Sequence, residues 1–125
     1  MYKYTEVYSK LTYETATVIF LKKDGTVRIM LATRNINTSN LKYEFLGYEL
    51  GGHDNRCDIS NGNIAVIDLI IGEARSFNIG RVLKIYYHGV VSNQDEFEVA
   101  YAKHTVCEEE YTKSEPMKLV MEMLD

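Results

Sequence analysis

Seven basic side chains of the central stretch, Lys22, Lys23, Arg28, Arg34, Arg75, Arg81 and Lys84, stand among the small polar residues Thr33, Asn35, Ser76 and Asn78. Gathered on one face, such a set binds phosphate. Guanidinium groups grip two oxygens at once, ammonium groups act as point charges, and amides and hydroxyls read what lies beside the anion. We take Lys23, Arg28, Thr33, Arg34, Asn35, Arg75, Ser76, Asn78 and Arg81 as the candidate ligand-binding set. The structural alternative is a solvated strand surface with cross-strand ion pairs. Tyr86 and Tyr87, close to Lys84 and Arg81, add one stacking platform at most, because adjacent strand residues face opposite ways.

Other chemistries find less support in the spacing. His53 and Cys57, with His104 and Cys107, offer two His/Cys pairs, but neither has the usual spacing of a zinc site, so no metal is expected. His88 follows two strand tyrosines and reads as structural. Asp54, Asp58, Ser60 and Asn61 do not form a calcium loop, since the sixth position from Asp54 is Ile59 where glycine is needed. Gly47, Gly51 and Gly52 are not followed by the Lys-Ser/Thr of a phosphate loop. With no catalytic constellation, the expectation is a protein that is not an enzyme and uses no cofactor.

The elements that position these residues begin with 18–35, two apolar runs separated by Asp24-Gly25, which predicts a β-hairpin with a primed two-residue turn. Strands are expected over 15–22 and 26–33, with both faces covered. Before them, Val7, Leu11 and Glu14 share one side at helical spacing, predicting a short helix over 5–14 with Thr5 as its cap. Residues 36–40 read as loop, 41–50 fit helix or strand, and 51–63, with three glycines, three asparagines and two aspartates, read as a long connection. Further strands follow over 64–70, 75–79 and 81–88, with a turn at Ile71-Gly72-Glu73. Ser92 to Glu96 carry capping-box chemistry, yet Phe97, Val99 and Tyr101 alternate, and the reading leans to strand toward 106. Ser114-Glu115-Pro116 then opens a last helix. Short strands with no crossover helix between them predict an α+β fold. It is a small antiparallel barrel of about five strands over 15–91, with a short N-terminal helix and an acidic, helix-bearing extension over 92–125.

The 125 residues make one domain's worth of chain, 46% apolar and 26% charged. No apolar run is long enough to cross a membrane, and no apolar core of a signal peptide follows the first residues, so a cytoplasmic protein with free Cys57 and Cys107 is expected. Charge is unevenly placed. Residues 1–94 carry 11 Lys and Arg against 9 Asp and Glu, or +2, and residues 95–125 carry 3 against 9, or −6. Glu108, Glu109 and Glu110, with Asp95, Glu96 and Glu98, read either as solvated surface or as an acidic face that covers the basic one or competes for a partner's basic site.

Lys22-Lys23-Asp24-Gly25-Thr26, then Arg28, Met30 and Ala32-Thr33, and after a spacer Asp68 and Arg75-Ser76-Phe77, resemble the small bacteriophage proteins called WYL-like type 2, Sm-like SH3 β-barrels. The resemblance implies a phage origin and a barrel of the kind that binds nucleic acid, nucleotides or protein segments. The leading expectation is therefore a non-enzymatic phage accessory module that engages a host or phage protein, since the whole chain is acidic at −4. A nucleotide- or RNA/ssDNA-binding barrel that uses the arginine set is the alternative.

Overall fold

The structure, a computed structural model, describes residues 1–35 and 57–124, with side chains through residue 113. The readings made for 36–40 and 41–50, and for the 51–56 part of 51–63, lie outside the described residues. In chain order come α1 (Tyr4–Tyr13), β1 (Thr15–Leu21), β2 (Val27–Thr33), β3 (Asn63–Asp68), β4 (Glu73–Asn78), a 3-10 turn over Ile79–Arg81, β5 (Val82–Gly89) and α2 (Gln94–Leu124). The strands form one antiparallel sheet in the order β4-β3-β2-β1-β5. Five strands, an N-terminal helix and a C-terminal helix are as the sequence predicts.

The hairpin lies where Asp24-Gly25 places it, but its turn is of another kind. Gly25 N–H donates to Lys22 O at 2.9 Å and Lys22 N–H to Thr26 O at 2.8 Å, which closes a three-residue loop. Among the described residues only glycines have positive φ, Gly25 at +87°, whereas a primed turn of type I′ would need Asp24 there as well. The aspartate serves instead as a brace. Its Oδ1 accepts from both the amide, at 2.9 Å, and the hydroxyl, at 2.6 Å, of Thr26. These bonds hold the Asp24 carboxyl below its ordinary pKa.

Alternation along the strands gives the sheet two apolar faces. Val18 and Phe20, Met30 and Ala32, Ile64 and Val66, Phe77 and Ile85 form one core with Val7 and Leu11 of α1. Leu31, Ala65, Ile67 and Leu69 form the other with Val91, Phe97 and Ala100 from the α2 side. Thr15 to Phe20 of β1 are buried throughout, sandwiched between these layers. The sheet coils strongly. Phe20 and Phe77, on strands that are not neighbours in the ladder, bring their rings to 5.8 Å. Among the described residues no ladder joins β4 to β5, so the architecture is an open, coiled antiparallel sheet.

Three further expectations are corrected. Residues 97–106 are helix, not strand: Asn93 caps α2, its Oδ1 accepting from Glu96 N–H at 2.9 Å while the Glu96 carboxylate accepts from Ser92 N–H at 3.1 Å. Phe97, Ala100 and His104 then fall on one helical face and are buried. Ser114-Glu115-Pro116 starts nothing, because α2 runs through it as one 31-residue helix. Its length, about 46 Å at 1.5 Å per residue, exceeds that of any strand it crosses. At the other end of the chain α1 begins after Lys3, which makes no side-chain cap bond, so Thr5 is inside the helix.

Candidate functional site

Where the coiled sheet leaves its first and last strands apart, a cleft of about 430 Å³ opens between the β1–β2 hairpin and the β3–β4 hairpin. One wall is cationic. Lys22 and Lys23 stand at the end of β1, Arg28 lies opposite Phe20 in the ladder, and Arg81 comes from the 3-10 turn that leads into β5. Arg81 Nη1 donates to Lys22 O at 3.0 Å, which ties the two chain segments together at the rim. The other wall is neutral and amide-rich, formed by Asn61, Asn63, Ser76 and Asn78, and Phe20 and Phe77 make the floor. Among the described residues no carboxylate lines the cleft.

The local chain explains this wall. Asp58 and Asn63 pair by two backbone bonds around a turn whose Gly62 has φ +79°, so residues 58–63 form a tight reversal at the end of the expected long connection. Asn78 Nδ2 donates to Asn61 O at 2.6 Å and to Asn63 Oδ1 at 3.1 Å, and its Oδ1 accepts from Gly80 N–H at 2.8 Å. Asn78 thus fastens the 58–63 turn to the 3-10 turn that follows β4. Beneath the cationic wall, Arg28 Nη2 donates to Asp68 Oδ2 at 3.1 Å, and the nearly buried Asp68 also accepts from Ile70 N–H at 3.0 Å. Among the described residues Lys22, Lys23 and Arg81 form no ion pair.

Of the nine sequence-predicted residues, Lys23, Arg28, Ser76, Asn78 and Arg81 line this cleft. The other four are elsewhere. Thr33, Arg34 and Asn35 lie at the opposite end of β2, against α1: the Thr33 hydroxyl donates to Glu14 O at 3.1 Å, Asn35 Nδ2 donates to Tyr13 O at 3.1 Å, and the Arg34 guanidinium binds Ala65 O, Tyr8 Oη and Cys57 Sγ. Arg75 donates to the Glu73 carboxylate and to Ala74 O. The expectation that the nine gather on one face is therefore corrected, because four of them lie outside the cleft, where internal bonds hold them. Asn61 and Asn63 were missed, although Asn61-Gly62-Asn63 marks a tight turn whose asparagines must lie near a strand end.

The tyrosines do not reach the cleft. Tyr87 packs against the α1-side core under Lys10, 4.4 Å from its ring, and burial raises its pKa to about 12. Tyr86 and His88 border a shallow groove of about 420 Å³ between β5 and α2, together with Ala102, Lys103, Val106 and Cys107.

A second polar cluster lies under that groove. The buried Thr17 hydroxyl is 2.6 Å from His88 Nε2 and 2.9 Å from His104 Nδ1, and His104 Nε2 is 3.4 Å from the Glu108 carboxylate. A hydroxyl donates once, so with both rings neutral one imidazole accepts from Thr17 and the other donates to it. Burial lowers both pKa values, that of His88 to about 4 with help from the adjacent His104 and Lys103. Burial raises that of Cys107. Cys57 and Cys107 are free thiols, His53 lies outside the described residues, and among those described no three His, Cys, Asp or Glu side chains converge on a possible metal position. The arrangement fastens α2 to β1 and β5. No helix among the described residues is long and apolar enough to cross a membrane.

Comparisons with family models, with curated proteins and with solved structures returned no match for this chain.

Proposed function

We propose that this protein is a non-enzymatic binding module, acting in the cytoplasm, whose basic cleft engages the phosphate of a nucleotide or nucleic acid. The observation that carries the reading is the cleft wall: Lys22, Lys23, Arg28 and Arg81 converge on it, and none of the described residues that line the cleft is a carboxylate. A wall of that kind favours anions. It also reverses the order that net charge suggests, since the acidity is on α2, none of whose described side chains lines the cleft. In this reading the coiled sheet is a small SH3/Sm-like barrel of the phage-protein kind that the sequence resembles. The strand order and the approach of Phe20 to Phe77 support closure, which β4 and β5 would complete.

Fluorescence anisotropy with labelled single-stranded RNA and DNA, and calorimetry with nucleotides, test the reading. Binding should weaken as salt rises, and Lys22→Glu with Lys23→Glu should reduce it by about tenfold or more while the unfolding midpoint stays put. Binding that ignores both salt and the double substitution overturns it.

A second reading, engagement of a host or phage protein, rests on a different surface. The β5–α2 groove is almost wholly apolar, and Val99, Tyr101 and Val106 are exposed along α2. Capture of one protein from lysate with and without nuclease favours this reading, and loss of all capture with nuclease favours the first.

A further inference from the structure

We infer that the cleft takes a single phosphorylated nucleoside and not a running strand, an inference that rests on the phosphate-binding reading above. The two walls differ in chemistry as the two halves of a nucleotide do. Lys22, Lys23 and Arg81 offer ammonium and guanidinium donors to a phosphate, and the bond from Arg81 to Lys22 O holds those charges at one end. Across from them the amides are partly engaged and partly open. Asn61 Nδ2 donates to Asp58 Oδ2 at 2.5 Å, and Asn63 Oδ1 accepts from Asn78. Among the described residues Asn61 Oδ1, Asn63 Nδ2 and the Ser76 hydroxyl on this wall make no hydrogen bond. Donors and acceptors on one wall are what the hydrogen-bonding edge of a base requires.

Size and floor point the same way. A volume of about 430 Å³ falls within the range of small-ligand sites, roughly 300–1,000 Å³. Sites that hold a strand without sequence preference instead follow the backbone over several nucleotides, with successive bases stacked on exposed rings. Among the described residues the only aromatic rings in the lining are Phe20 and Phe77, exposed to 5% and 3%. They can close the bottom of a pocket, but they offer no row of platforms.

The test compares the four ribonucleoside 5′-monophosphates, inorganic phosphate and 5′-phosphorylated oligothymidylates of two lengths, about 4 and about 12 nucleotides, by calorimetry at several salt concentrations. We expect at least one monophosphate to bind about tenfold more tightly than inorganic phosphate. The oligonucleotides should gain no more than about twofold with length, at one unchanged salt slope. Affinity that climbs with length while the slope steepens overturns the single-nucleotide inference and leaves phosphate binding standing. Equal binding of inorganic phosphate also overturns it, because the amide wall then reads nothing. Absence of binding by every probe removes both readings. Asn63→Leu should erase the preference for the nucleotide over inorganic phosphate. If that variant is unfolded by circular dichroism, Lys23→Gln, at an exposed position, serves in its place and should weaken nucleotide and phosphate binding together.

Discussion

Lys22 and Lys23 at one end of the sheet and Arg34 at the other carry the same charge, yet they have opposite fates. Arg34 is laid over the Tyr8 ring at 4.4 Å and spends its guanidinium on Ala65 O, Tyr8 and Cys57, so that α1, β2 and β3 are joined through one side chain. Among the described residues the Lys22 and Lys23 side chains make no hydrogen bond or ion pair. The difference teaches that a cation becomes part of the fold where a cluster of acceptors surrounds it, as around Arg34, and remains available to a ligand on an exposed turn, as at Lys22 and Lys23. The strongest way to break this comparison is Arg34→Met. It leaves Ala65 O without its donor and should cost about 3 kcal/mol in thermal unfolding. A midpoint shift no larger than that of a surface lysine substitution would show that the two ends do not differ.

The next largest effect sharpens the same contrast on the other face of the sheet, where polar groups are buried between β1, β5 and α2. Thr17→Val keeps the shape and removes the hydroxyl shared by His88 and His104, which should cost about 2 kcal/mol by leaving ring nitrogens unpartnered. Acid should act on the same cluster. The folded protein holds His88 neutral down to about pH 4, whereas the unfolded chain takes up its proton near the ordinary 6.5. Between those values the unfolded state binds more protons, so the unfolding midpoint should fall as pH drops from about 6.5 to 4. His104, lowered in the same direction, adds to the slope. Asp24 and Asp58, whose pKa values are also lowered, lose their stabilising contribution only below the ordinary carboxylate value and so act outside this window. His88→Gln should flatten the curve. An equally steep curve in that variant would assign the acid sensitivity elsewhere.

These regions also show which parts of the molecule were legible in the sequence. The hairpin, the strands and the first helix are written in local periodicity and turn residues, so their places were readable to within a residue or two. The turn type was not, because Asp-Gly suits both a primed turn and a three-residue loop, and the brace from Asp24 to Thr26 decides between them. Helix over 97–106 was hidden because Phe97, Val99 and Tyr101 alternate as well as any strand. Only the existence of an apolar sheet face for Phe97, Ala100 and His104 settles it. The site was half legible. Residue type marked the cations, but nothing in type or spacing separates Arg34 from Arg81. That separation depends on Tyr8 and Ala65, which are far from Arg34 in sequence.

A smaller effect is expected at the turn that carries Lys23. Gly25 has φ +87°, and a Cβ there meets no atom within 4 Å, so a side chain pays only for its backbone conformation. Gly25→Val should cost about 1 kcal/mol. It should also loosen the hairpin end and weaken phosphate binding, in contrast to Arg34→Met, which acts at the far end. An unchanged midpoint would mean that the hairpin accepts another turn at no cost.

The smallest effect is expected from the acidic run of α2, and it decides whether that run masks the basic cleft. Glu108, Glu109 and Glu110 are exposed, and Glu108 faces His104 on the side of the sheet where α2 packs. No described side chain of α2 lines the cleft, so the run can act on it only through solvent. At about 0.15 M ionic strength such fields are screened beyond about 8 Å. Glu109→Lys with Glu110→Lys, which leaves the Glu108–His104 contact intact, should therefore change phosphate binding by less than about twofold at that salt. The small change should grow as salt is lowered and screening recedes. A gain of tenfold or more at 0.15 M, in a variant with an unaltered circular dichroism spectrum, would place the acidic residues over the cleft and make α2 a competitor for the ligand.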